Sequence, residues 1–196
     1  MTEEPLQPLE SLALIDSMIN KARNRFYDNG HIYLLWGWVI LFCSLVHYLL
    51  QYVFKVEHFY LVWFLTWGAL IYQFVYLRKK RRSQTVVTYT DDIVRYVWLV
   101  FIIMMLLLVV VVTRFSGNPH NTDAVFLVLY GMPTFLSGVI LKFSPLIRGG
   151  IFCWLLALLS LFVPVQYHML FISAAVIAAW IVPGYLLKSQ YKKMNA

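Results

Sequence analysis

A chain of 196 residues that is 61% hydrophobic and only 13% charged carries more apolar surface than a domain of its size can hide from water. That excludes an ordinary soluble domain, and a mean hydropathy of +0.72 makes lipid the solvent that fits. The net charge of +7 does not indicate nucleic acid, because the basic residues are distributed as membrane-orientation signals rather than as a binding face.

The chain opens acidic and then turns amphipathic. It has no basic start leading into an uninterrupted apolar run, so a cleaved signal peptide is not expected. Leu12, Ile15, Ile19, Ala22 and Phe26 recur at steps of three and four, the spacing of one apolar stripe on a helix starting near Pro8. Asp28-Asn29-Gly30 reads as its stop, with Gly30 suited to a left-handed conformation. Such a helix lies on the cytoplasmic membrane surface, with Lys21, Arg23 and Arg25 near anionic phospholipid headgroups, or docks on the protein's own cytoplasmic face.

Six apolar stretches follow, each near the roughly 20 residues needed to cross a hydrocarbon core. They are His31–Phe54, Phe59–Leu77, Tyr96–Thr113, Ala124–Leu141, Gly149–Val165 and His168–Leu187. All should be helical, because an open strand edge in lipid leaves backbone groups unpaired. The expected fold is therefore all-α: a six-helix polytopic membrane bundle over residues 31–187, with an amphipathic helix over 1–30 before it and a basic cytoplasmic tail over 188–196.

Orientation follows from the Lys and Arg bias. One side takes Lys21, Arg23, Arg25, Arg78, Lys79, Lys80, Arg81, Arg82, Arg95, Lys142, Arg148, Lys188, Lys192 and Lys193. Only Lys55 and Arg114 remain for the other, of 16 basic residues in all. An odd number of spans would scramble this alternation, so both termini are expected in the cytoplasm. The run Arg78, Lys79, Lys80, Arg81, Arg82 could bind anionic phospholipid, nucleic acid or an acidic partner, although its role as the topology signal of a cytoplasmic loop is the simpler account. The loop that holds it has no room for a nucleic-acid-binding domain.

Within the spans the informative residues are polar or small. Ser44, His47 and Gln51 share a face of span 1, and Thr66 and Gln73 share one of span 2. Hydrocarbon offers such groups no partner, so they turn either to neighbouring helices or to a polar cavity. Gly150, Cys153, Ala157 and Ser160 form a small-residue ridge on span 5, while Ala174 with Ala178 and Ala175 with Ala179 do so on span 6. Pro133 and Pro183 are expected to kink spans 4 and 6. Trp67-Gly68 and Tyr130-Gly131 suggest at most a faint duplication. Cys43 and Cys153 lack CxxC spacing and read as apolar packing residues.

No Asp or Glu falls inside the six segments so drawn, which disfavours coupled transport and intramembrane aspartyl proteolysis. HExxH, GxSxG, Walker A and GxGxxG motifs are absent. His47, His58, His120 and His168 belong to the outer half or outer loops and His31 to the inner side. Interface anchoring explains them better than a metal or haem. No cofactor, catalytic metal or acid–base pair at the outer face is expected.

The stretches SLALIDSMINKARNRFYDNGHIYLLWGWVILF, LYGMPTFLSGVILKFSPLIRGGIFCW and AAWIVPGYLLK resemble a group of small six-span bacterial inner-membrane proteins of unassigned function. The resemblance implies the six-span architecture and a bacterial inner membrane, and brings no activity or catalytic residue with it. The expected role is that of a non-enzymatic interaction, accessory or regulatory component, with the lipid bilayer and a protein partner or second copy as its contacts. The alternative is a small-solute or lipid transporter, or channel, working through the His47 and Gln51 face.

Overall fold

A computed structural model describes residues 30–83, 89–115 and 122–194. The amphipathic segment expected before residue 30, with Lys21, Arg23 and Arg25, lies outside the described residues, as does His120. Among the described residues there is no strand. The helices are α1 (Gly30–Tyr48), α2 (Phe64–Ser83), α3 (Tyr89–Phe115), α4 (Thr122–Ile140), α5 (Ser144–Ser160), α6 (His168–Val176) and α7 (Val182–Met194). A π-helical turn, Leu49–Val53, prolongs α1, and a second, Ile177–Ile181, joins α6 to α7 in one rod. Five of the resulting segments are long and apolar enough to cross a membrane: Gly30–Val53, Phe59–Lys79, Asp92–Val112, Thr122–Ile140 and Val165–Gln190. The fold is an all-α bundle, and its apolar helices are those of an integral membrane protein.

The sixth apolar helix, α5, has 17 residues. At about 1.5 Å per residue it is several ångströms short of a hydrocarbon core of about 30 Å. It also sits five residues earlier than the Gly149–Val165 drawn from hydropathy. The cause is local. Lys142 takes a left-handed φ of 51°, its N–H donates to Val139 O (3.1 Å), and the Phe143 N–H donates to Gly138 O (2.8 Å). This is a Schellman ending of α4, after which Pro145 in the first turn starts α5 at once. At the far end, i→i+3 bonds tighten the chain from Leu158 to Val163 and close the helix before Pro164.

Two other boundaries move. α3 begins at Tyr89 and not at Tyr96, so Asp92 lies in its first turns and pairs with Arg95 at 3.1 Å. α4 begins at Thr122, which takes Asp123 into a helix from which hydropathy had excluded it. Gly30 is likewise no left-handed stop, since no glycine among the described residues has positive φ. It opens α1 as a buried contact, where a Cβ would stand 2.9 Å from Gly184 O.

The helices alternate in direction. His31 meets Tyr76 at one end of the α1–α2 pair, and His47 meets Phe59 and Trp63 at the other. The end where α1 starts and α2 finishes carries Arg78, Lys79, Lys142, Arg148 and Lys188 and is termed the basic end. The opposite end holds Asp123 and His168. α1, α4, α5 and the α6–α7 rod share one core, around Ile40, Leu127, Tyr130, Leu146, Cys153, Ala175 and Trp180. α2 packs on α1, whereas α3 packs mainly on α4. Only 6% of the most apolar stretch of Phe59–Lys79, and of Asp92–Val112, is buried, against 56% for Val165–Gln190. These two are therefore the peripheral helices.

Small residues set the core spacing, as the ridges on spans 5 and 6 suggested. Gly150, Cys153, Ala157 and Ser160 are all buried. Of the two alanine pairs on the last span, Ala175 and Ala179 form the packed one, with the Ala179 Cα 2.7 Å from where a Cβ on Gly149 would stand. The two aromatic-Gly pairs play unlike parts: Gly131 lies against α5, whereas a Cβ on Gly68 would meet nothing within 4 Å. Pro133 is accommodated inside a continuous α4. Pro183 follows the second π turn, where the Val182 N–H reaches back five residues to Ile177 O. That widened turn suits a residue with no N–H to give and a ring that crowds the carbonyl four residues back.

Candidate functional site

Hydrogen bonding answers where the intramembrane polar residues turn. Ser44 is fully buried and shares a 2.7 Å hydroxyl–hydroxyl bond with Ser173 of α6. One turn on, His47 is held from both sides. The Trp63 indole N–H, which can only donate, gives its hydrogen to His47 Nδ1 at 2.9 Å. Nδ1 is therefore the acceptor, and Nε2 carries the hydrogen donated to Gln51 Oε1 at 2.9 Å. This geometry fixes a neutral His47 in the Nε2–H tautomer. Phe59 adds an edge contact to the same ring, 4.8 Å between centroids.

The span 2 residues do not extend this face. Thr66 donates to Trp63 O of its own segment, and Gln73 accepts from the Trp36 indole nearer the basic end. The expected stripe Ser44, His47, Gln51, Thr66, Gln73 thus divides into three separate connections: α1 to α6, α1 to the start of span 2, and α1 to the middle of α2. A fourth, deeper link joins α7's approach to α4, where the Trp180 N–H donates to Thr134 Oγ1 at 2.9 Å and Thr134 donates on to Tyr130 O.

The most concentrated chemistry lies at the Asp123 end. His168 opens α6 and is only 2% exposed. Its Nε2 stands 2.9 Å from Ser160 O and 3.1 Å from Val163 O, and its Nδ1 stands 3.4 Å from Asp123 Oδ2. The expectation that no acid and base would meet here is overturned. Each connection alone is too short to converge, yet α4 starts early enough to bring Asp123 to α6, and the tight Leu158–Val163 turn folds its carbonyls over the imidazole. Asp123 also lies within electrostatic reach of His47 and Tyr52. An open cleft of ≈ 530 Å³ borders the site, lined by Tyr52, Ser160, Val163, Pro164, Gln166 and His168 among others. Among the described residues no three His, Cys, Asp or Glu side chains are grouped as metal ligands.

Sequence reasoning left Asp123 outside the spans and read His168 as an interface anchor, although two signals were there to use. An acid immediately before an apolar run is the favoured residue of a helix's first turn. A histidine after a Pro-containing turn is likewise placed to begin the next helix. Elsewhere, His58 is exposed beside Tyr60, and His31 meets Tyr72 at 3.1 Å. Arg78 and Lys79 flank a shallow groove with Phe74 and Val75 at the basic end of α2. Lys80, Arg81 and Arg82 continue that helix to its end at Ser83. Cys43 and Cys153 are buried free thiols in packed positions.

Compared with known proteins, this chain matches no family model, no curated protein and no solved structure.

Proposed function

We propose that the chain is a six-span, non-enzymatic protein of the bacterial inner membrane, with both termini in the cytoplasm, that serves as an interaction, accessory or regulatory component. The short α5 is read as the fifth span, its deficit made up by the turn that follows it. The basic end is read as cytoplasmic by the charge bias, and Arg78 and Lys79, above an apolar groove, as contacts for anionic phospholipid.

One observation carries the preference for an accessory role over transport. The polar stripe on which a solute pathway would depend is closed by side chains of the protein itself. Ser44 bonds Ser173, His47 bonds Trp63 and Gln51, and Gln73 bonds Trp36. Meanwhile α2 and α3 present apolar faces such as Ile71, Phe74, Leu107 and Val110 along most of their length. Those faces suit partner helices, or a second copy of the chain, as well as lipid.

Photo-crosslinking in native membranes tests this reading, with the reactive group placed at Ile71 on α2 or Leu107 on α3. A discrete protein adduct, identified by mass spectrometry, is the expected result. Lipid adducts alone at both positions, together with solute flux in reconstituted vesicles, would replace the accessory reading with transport.

A further inference from the structure

The hydrogen-bond geometry of His168 leaves one atom unaccounted for. Carbonyl oxygens only accept, so the nitrogen facing Ser160 O and Val163 O must carry a hydrogen. The other nitrogen, Nδ1, then points at the Asp123 carboxylate 3.4 Å away, and it is buried with no settled hydrogen bond. With no proton between them, a ring lone pair faces an ionised carboxylate, and the two repel. One proton converts the contact into a bond, either as imidazolium with carboxylate or as neutral imidazole accepting from a carboxylic acid. The proton belongs to the pair and not to either residue.

The pair also joins separate parts of the fold. Asp123 stands in the first turn of α4, His168 opens α6, and the two carbonyls belong to the end of α5 and the turn after it. The cleft lined by Tyr52, Gln166 and His168 opens to the solution at this end and borders the histidine of the pair. We propose that Asp123 and His168 form a proton-binding site, loaded from that solution, which clamps the start of α4 to the α5–α6 turn while it holds a proton and releases it when the proton leaves.

Among the described residues, the titratable groups within electrostatic reach of Asp123 besides His168 are His47 and Tyr52, on α1 and its π turn, and Tyr130, a neutral phenol on α4 itself. His47 is kept neutral by Trp63 and so adds no competing charge. α5 contributes only the Ser160 carbonyl. The sign is therefore set by the pair: the clamp is present at lower pH and lost as pH rises. The proposal depends on neither the accessory reading nor the orientation, because it concerns whichever solution bathes this end.

Ala124, next to Asp123 and buried, is the reporter. In Ala124→Cys protein in detergent, the rate of thiol labelling is measured from about pH 5 to about pH 9, a range that brackets ordinary imidazole titration. It is divided by the rate for Val56→Cys, exposed in the connection after α1, which removes the thiol's own ionisation. Release of one proton on opening makes this ratio rise about tenfold per pH unit before it saturates. Adding Asp123→Asn replaces the acid with an amide that bonds Nδ1 in either state, its N–H donating to the neutral ring and its oxygen accepting from the imidazolium, so the ratio should stay low and flat. A flat ratio with the native pair, or the same rise in the Asp123→Asn background, would overturn the proposal. The first of these requires no change to the pair, so misfolding of the Asn variant does not shield the idea.

Discussion

Two glycines offer opposite outcomes for the same substitution. A Cβ on Gly138 would stand 2.6 Å from Ile147 N, 2.8 Å from Ile147 Cγ1 and 2.9 Å from Leu146 Cβ, whereas ordinary contact begins at 3.4 Å. Two of these neighbours belong to or lie next to the α5 backbone, so no flexible side chain can simply turn away. Overpacking of this kind costs roughly 1–3 kcal/mol. The better helix propensity of Ala returns at most about 1 kcal/mol. Gly138→Ala should therefore be neutral at best and about 3 kcal/mol destabilising at worst. Gly68, by contrast, has open space where the methyl would go, so Gly68→Ala should retain the propensity gain of up to about 1 kcal/mol. Equilibrium unfolding in mixed micelles, followed by helical circular dichroism, gives both values. Gly138→Ala more stable than Gly68→Ala would refute the view that glycine contacts set the α4–α5 spacing.

At Lys142, the left-handed φ of 51° strains an L-residue by roughly 1–2 kcal/mol, so Lys142→Gly should raise stability by about 1 kcal/mol in the same assay. Ser44→Ala and Ser173→Ala should each cost about 0.6–1.7 kcal/mol, and the double variant little more than either alone, because one shared bond is lost in all three; additive losses would show that the hydroxyls act separately. Cysteine-accessibility labelling in intact cells should place Ser83 and Asn195 on the cytoplasmic side and Asn118 outside. Ser83 and Asn118 on the same side would end the six-span reading.

Hydropathy located the core helices well because a lipid-facing residue and a core residue are both apolar, so each span stands out whatever its neighbours are. Gly30–Val53 differs from the expected His31–Phe54 by one residue at each end. The same property hid the boundaries that depend on local chemistry. Lys142 ends α4 in a conformation usually taken by glycine, and no pattern of apolar residues signals that. The inward direction of Ser44, His47 and Gln51 was readable from their spacing alone, since all three lie on one helix face. Their partners were not, because Ser173 and Trp63 are reached only through tertiary contacts. Asp123 was misjudged for a related reason: a two-residue shift in the start of α4 decides whether an acid is a loop residue or a buried member of a pair.

The two ends of the bundle are held by different forces, and this bears on what each can do. At the basic end, backbone comes close to backbone: a Cβ on Gly30 would crowd Gly184 O, one on Gly138 would crowd Ile147 N, and one on Gly149 would crowd Ala178 O. Such contacts are dispersive and indifferent to pH, and a well-packed arrangement of this kind has no nearby alternative. At the Asp123 end, the spans also meet through Ser44–Ser173, Trp63–His47–Gln51 and Asp123–His168, and the last of these depends on where a proton resides. α4 takes part in both regimes, anchored by Gly138 at one end and by Asp123 at the other, and Pro133 interrupts its hydrogen-bond ladder between them. A change at Asp123 is felt in the first turn of α4, because beyond it Trp154 donates to Val128 O and Gly131 lies against Gly150 of α5. Past those contacts, Thr134 accepts from Trp180 just beyond the proline, in the aromatic cluster of Trp180, Tyr130 and Trp98 where α3 joins the core.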